Sequence, residues 1–137
     1  MNRVFLSYAR GDENVARELA AGLRDAELSG WMDQSDIATG EAMAEKLKES
    51  LRQASAIVLL VSERSLKSQW VQFELGAALA MGKSIIPILI GEAGIETSLP
   101  DWLQGIVCLD ARGRPIKDVA KEVAMPFRRR VIRPAVI

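Results

Sequence analysis

With 137 residues, 49% of them hydrophobic, the chain can fill one sizeable core and is too short for two ordinary domains. It has no histidine and a single cysteine, Cys108, which excludes Ser-His-Asp and Cys-His triads, the common His-containing zinc sites and any intrachain disulfide, and makes a reducing, cytosolic setting the default. The 18 basic and 18 acidic residues cancel, but residues 1–111 hold 10 Lys/Arg against 16 Asp/Glu, and residues 112–137 hold 8 against 2. The basic end reads first as a solvated helix and tail, with contact to nucleic acid, anionic lipid or an acidic partner as the alternative.

The N-terminus has no signal-peptide layout, and the apolar run at 85–90 is far too short to cross a bilayer. Residues 3–8, RVFLSY, form a short apolar and aromatic run that suits a first buried strand. Ala9-Arg10-Gly11-Asp12 breaks it, and Asp12 is placed to cap a helix whose inner face is Val15, Leu19, Leu23 and Ala26. That helix is expected to end near Leu28-Ser29-Gly30. Trp31-Met32-Asp33 reads as a short second strand and residues 34–40 as a polar loop. Met43, Leu47, Leu51 and Ala54 then space out a second helix.

The continuous β-branched run at 56–61 is of the kind found in a strand covered on both faces, the centre of a parallel sheet. Residues 63–67 read as a connection, after which Ser68 caps a helix running to Met81. Gly76 in that helix costs about 1 kcal/mol relative to Ala, so it points to close backbone approach by a neighbour. A fourth strand spans 84–90, where Pro87 removes a ladder donor and implies a bulge or an unpaired side. Residues 91–100 read as a loop, 101–103 as a helical turn, and 106–109 as a fifth, edge strand with Cys108 as a buried thiol. Pro115 opens a last helix with Ile116, Val119, Ala120 and Val123 inside, and Pro126 is expected to end or kink it before Arg128-Arg129-Arg130. The domain is taken as residues 1–127, with 128–137 a basic tail or the start of a linker.

Alternating strands and helices joined by right-handed crossovers predict a flavodoxin-like three-layer α/β fold, a five-stranded parallel sheet with helices on both faces. Ligands in such sheets gather at the carboxyl ends of the strands, here 7–10, 33–40, 62–67 and the start of the helix after Ser68. Within that helix only Gln72 and Glu74 are polar between Trp70 and Met81, so the helix is expected to be largely covered by protein. Trp70, Glu74, Ala77, Ala78 and Met81 share one stripe. An acid on a dry face is either paired with a basic residue from a neighbouring loop, Arg10 or Lys67, or functional.

These residues resemble the Toll/interleukin-1 receptor (TIR) domain family, and specifically its bacterial branch, over residues 3–125. The resemblance rests on Val4-Phe5-Leu6-Ser7-Tyr8 followed by Asp12-Glu13, on Trp31-Met32-Asp33 ahead of a loop with Asp36 and Gly40, on Ser65-x-x-Ser68-x-Trp70-x-x-x-Glu74, and on Pro87 in its apolar run. Members that cleave NAD+ carry a glutamate in a Trp-x-x-x-Glu pattern, matched here by Trp70 and Glu74. The resemblance therefore implies that Glu74 is catalytic, that Ser7, Tyr8 and Arg10 help line a nucleotide pocket, and that residues 33–43 shape its rim. Phe5, Asp33, Gly40, Ser68 and Trp70 complete the implied substrate-binding set, with Trp70 a packing residue that shapes the pocket. It further implies NAD+ as substrate with no cofactor or metal, activation by self-association with other TIR domains, and no nucleic-acid partner. From the residues themselves, Ser7 could equally end the first strand by bonding local backbone, and Asp33 could cap the loop.

The chemistry is compatible with a chain that has no histidine. Hydrolysing an ordinary sugar–oxygen bond takes two carboxylates, one of them to protonate the leaving group. Nicotinamide in NAD+ is already cationic and departs neutral, so one carboxylate that stabilises an oxocarbenium-like transition state suffices. Two other readings stand beside this one. One is a non-enzymatic TIR interaction module; the other is a nucleoside 2-deoxyribosyltransferase, which Glu74-Leu75-Gly76-Ala77-Ala78 followed by Gly82-Lys83 also resembles. Receiver domains are disfavoured, because Tyr8-Ala9-Arg10 and Ser62 stand where paired acids and an Asp are needed.

Overall fold

The computed structural model describes residues 2–32, 41–92 and 94–132. Strands β1 (Asn2–Ser7), β2 (Leu28–Met32), β3 (Ala56–Val61), β4 (Ile85–Leu89) and β5 (Leu109–Asp110) alternate with helices α1 (Glu13–Asp25), α2 (Glu41–Gln53), α3 (Glu63–Lys67), α4 (Gln69–Ala80), α5 (Asp101–Gln104) and α6 (Ile116–Ile132). The strands form one parallel sheet in the order β2-β1-β3-β4-β5. The flavodoxin-like α/β architecture expected from the alternation is therefore the one observed.

Strand side chains alternate between two cores, one on each face. Val4, Leu6, Val58 and Leu60 meet Leu19 and Leu23 of α1 and Val119, Ala120 and Val123 of α6. Phe5, Ile57, Leu59 and Val61 meet Leu47 and Leu51 of α2 and Val71, Leu75 and Ala78 of α4. All six residues of β3 are buried, as its unbroken apolar run requires. At about 1.5–3 kcal/mol for each large apolar side chain fully buried, β3 is the best-anchored strand of the sheet.

Pro87 behaves as its chemistry demands. Ser84 O accepts from Ile57 N–H and Ile90 N–H donates to Val61 O, so the even-numbered groups of β4 face β3 and the nitrogen of Pro87 faces the other way. On that side β5 pairs only with Ile88 and Leu89, so no ladder bond is lost.

Several elements differ from expectation where neighbours outweigh local pattern. Helix α1 stops at Asp25, with Glu27 in the left-handed region at φ 63°, and β2 begins at Leu28 because it registers against Asn2 of β1. The expected connection at 63–67 is the one-turn helix α3, closed by a capping box between Ser62 and Ser65. Strand β5 lies at 109–110, not 106–109, so Val107 is exposed and Cys108 half-buried, its thiol donating to Ile106 O at 3.6 Å. Helix α6 neither ends nor breaks at Pro126 but runs on to Ile132, with the proline on its exposed side. Helix α4 is not covered all round: Phe73 and Leu79 are exposed, as is Met81 at its C-cap. Gly76 meets nothing within 4 Å of a Cβ built on it, and the close approach falls instead at Gly22, where a Cβ would lie 2.8 Å from Ala120 Cβ of α6. The expected loop at 34–40 and the tail at 133–137 lie outside the described residues. No described helix is long and apolar enough to cross a membrane.

Candidate active site

The chain runs outward from β1 in both directions, to β2 on one side and through β3 to β4 and β5 on the other. The carboxyl ends of β1 and β3 therefore border the point where strand order reverses, the place where open α/β sheets bind ligands. Among the described residues six polar or charged side chains are buried: Ser7, Asp12, Ser50, Ser62, Ser65 and Glu74. Ser50 donates back to Lys46 O within α2, the local bond a mid-helix serine makes. The other five collect at the carboxyl ends of β1 and β3 and in the segments that follow, a concentration of buried polarity that a packing core does not need.

Glu74 is 1% exposed in the second turn of α4. Ser68 caps this helix as expected, its Oγ accepting from Val71 N–H at 3.2 Å. On β1, the period-two alternation puts Ser7 on the same face as Phe5, toward α2 and α4, and the Ser7 hydroxyl donates to Glu74 Oε1 at 2.8 Å. Burying a carboxylate is costly, and a hydroxyl aimed at it offsets part of that cost while fixing where the oxygen points. Phe5, 1% exposed, packs in the core below. Trp70 lies one turn before Glu74, half-buried, its ring 5.4 Å from that of Phe73 at 39°.

Of the remaining candidates, Tyr8 and Arg10 fall among the described residues. Tyr8 follows the alternation to the opposite face and packs against the α1 and α6 core. Arg10 is exposed in a single 3-10 turn, Arg10–Asp12, before α1. Asp33 and Gly40 lie outside the described residues, as does the rest of the 33–40 loop.

The structure adds a cluster that the sequence reading assigned otherwise. Asp12 stands at the N-cap of α1 but makes no capping bond. Its carboxylate is 2% exposed and crosses the sheet edge, accepting from Ser62 Oγ at 2.6 Å and from Arg64 Nε at 3.1 Å and Nη2. Opposite charges two or more residues past the ends of two strands carry no signal until those strands are known to be neighbours. The chemistry this edge offers is a carboxylate, fixed by a hydroxyl, that can accept hydrogen bonds and stabilise a nearby positive charge.

Comparison with known proteins places the fold in a family. The TIR domain family profile matches residues 4–124. The chain is 28% identical over 89 residues to the 2′ cyclic ADP-D-ribose synthase BtTIR of Bacteroides thetaiotaomicron, covering 61% of this chain and 31% of that protein. It is 25% identical over 134 residues to the NAD(+) hydrolase TcpC of Escherichia coli O6:H1, covering 92% and 44%. It thus spans less than half the length of either curated relative. The TIR domain of the Toll-related receptor TRR-2 from Hydra magnipapillata superposes with a TM-score of 0.67 at 23% identity, covering 96% of this chain and 95% of that one, a likeness of fold. With the family profile matched over residues 4–124, nearly its whole length, the chain belongs to the TIR domain family.

Proposed function

We propose that the protein is an NAD+ glycohydrolase or ADP-ribosyl cyclase in which Glu74 is the catalytic carboxylate. The observation that carries this reading is the buried Glu74 carboxylate held by Ser7 at the reversal point of the sheet. In the proposed reaction the carboxylate engages the hydroxyls of the nicotinamide-bearing ribose as the C–N bond lengthens. Neutral nicotinamide leaves without a proton, and water or a second nucleophile on the same dinucleotide captures the ribosyl cation. Ser7 keeps the carboxylate in place, Ser68 fixes the start of its helix, and Trp70 shapes the approach one turn away. Phe5, Tyr8, Arg10, Asp33 and Gly40 complete the proposed substrate-binding set.

Self-association is part of the proposal. In the single chain Glu74 is 1% exposed, so a ribose meets it only after the surrounding side chains part. Helix α4 also turns Phe73 (47% exposed) and Leu79 (50%) outward, apolar groups that a neighbouring copy would cover. The lone cysteine and the dinucleotide substrate suit a cytoplasmic setting.

The test is to incubate the purified protein with NAD+ and separate the products by chromatography. Nicotinamide should appear together with ADP-ribose or a cyclic isomer, and specific activity should climb with protein concentration or crowding. Glu74→Gln should abolish release while the protein stays folded, with thermal stability equal or higher because a buried acid is removed. Full activity in that variant would sink the catalytic role of Glu74. A wild-type protein that releases no nicotinamide even when concentrated would favour the non-enzymatic interaction module, and activity independent of concentration would mean that one chain holds a complete site.

A further inference from the structure

A hydrogen-bonded path joins Asp12 to the helix that carries Glu74, with a serine at each of positions 62, 65 and 68. Asp12 Oδ2 accepts from Ser62 Oγ at 2.6 Å. Ser62 Oγ accepts from Ser65 N–H at 3.1 Å, while Ser65 Oγ accepts from Ser62 N–H at 2.9 Å and donates to Ser62 O at 3.1 Å. Ser68 N–H then donates to Ser65 O at 3.2 Å, and Ser68 Oγ and O accept from Val71 N–H and Gln72 N–H at 3.2 and 3.1 Å. Five residues after Ser68 have carried α4 through Phe73, Glu74 meets Ser7, and the ring closes through the chain from Ser7 to Asp12.

We infer that Asp12 is a positioning residue for Glu74: through Ser62, Ser65 and Ser68 it fixes where α4 starts relative to β1, and so holds the Glu74 carboxylate on the Ser7 hydroxyl. The inference rests on the catalytic reading of Glu74 given above. Three features single out Asp12. It occupies a helix N-cap, where an aspartate ordinarily accepts from the first-turn amides, yet it makes no such bond and turns across the sheet. The Arg64 side chain crosses Gly11, where a Cβ would lie 2.7 Å from Arg64 Cδ, so the exit of β1 is clasped from outside as well. Ser62 is backed by Gly91 after β4, where a Cβ would lie 3.1 Å from Ser62 Cα. The Arg64 side chain is 61% exposed, so solvent weakens its pull. The buried contact between Asp12 and Ser62 does most of the fixing.

The test compares the full chain with Asp12→Asn, and with Ser62→Ala in case the first variant fails to fold, by amide hydrogen exchange and by steady-state kinetics of nicotinamide release. Loss of one anchoring bond should speed exchange at Val71 and Gln72 about 5- to 10-fold, leaving Leu23 and Ala120 on the far face within about 2-fold. Because misplacement of a reacting group by about 1 Å can cost 100-fold, kcat should fall about 10- to 100-fold with KM within about 2-fold. Exchange that rises equally throughout the molecule would show a general loss of stability and overturn the inference, and so would locally faster exchange with kcat unchanged. If the wild-type chain releases no nicotinamide, the enzymatic reading fails by itself. The exchange data then still decide whether Asp12 sets the position of α4: a rise confined to Val71 and Gln72 supports it, and a uniform rise overturns it.

Discussion

Ser7 illustrates how much rests on one hydroxyl. From sequence it is equally a strand terminator and a pocket residue; in the fold it donates to a carboxylate that is 1% exposed. Ser7→Ala leaves that buried oxygen short of a donor and should lower stability by about 1–3 kcal/mol in urea titrations. The same substitution in the Glu74→Gln background should cost less, because the carboxyl group it serves is gone. A cost near zero in both backgrounds would show that the bond does not matter. Cys108 makes the opposite point. Expected as a core thiol, it is only half-buried, but desolvation still pushes its pKa up. Less thiolate is present at neutral pH, so a disulfide reagent should label it several-fold more slowly than it labels glutathione; a rate at or above that of glutathione would contradict this placement.

At the scale of elements, the two glycines divide by what faces them. Gly22 sits where α1 crosses α6, and an added methyl would meet Ala120 Cβ at 2.8 Å. Gly22→Ala should therefore cost about 1–3 kcal/mol through overpacking, despite the better helix propensity of alanine. Gly76 has nothing within 4 Å and lies on the exposed side of α4, so Gly76→Ala should gain up to about 1 kcal/mol. Denaturant midpoints of the two variants should move in opposite directions, and movement of both the same way would refute the packing difference. Helix α6 passes through Pro126 because Val119, Ala120, Val123 and Ala124 already anchor it on the sheet, and the missing donor falls on its exposed side.

Across the whole molecule, the charge segregation seen along the chain is partly undone by folding. Arg112, from the basic end, donates to Asp110 beside it and to Glu96 in the 3-10 turn Ile95–Ser98 after β4. Hydrogen bonds from Arg112 hold Asp110 and Glu96 each at about 2, below their ordinary 3.8 and 4.5. A folded pKa below the unfolded one means stabilisation that is complete above about pH 4.5 and fades as pH falls toward 2. Arg112→Gln should thus lower thermal stability at pH 7, and the gap from wild type should close as the solution is acidified through that window. Salt should narrow the gap at any pH, since the carboxylates are exposed. A gap that widens on acidification would contradict the linkage.

The sequence was enough for the features that depend on near neighbours in the chain. The β/α alternation, the doubly covered β3, the Ser68 cap, the open side at Pro87 and the odd acid at Glu74 all come from periodicity, propensity and hydrogen-bond chemistry within a few residues. Within the candidate site Glu74 stood out, because an acid on a dry helical stripe is anomalous wherever the helix packs. The features that were missed share another cause. Asp12 caps nothing because Ser62 and Arg64, some 50 residues away, reach it once β1 and β3 pair. Gly22, not Gly76, marks the tight crossing because α6 lies over α1. β2 starts at Leu28 through its register with β1, and α6 outlasts its proline through its contacts with the sheet. Each of these turns on which distant segment becomes a neighbour, and strand order settles that only when the chain closes around its two cores.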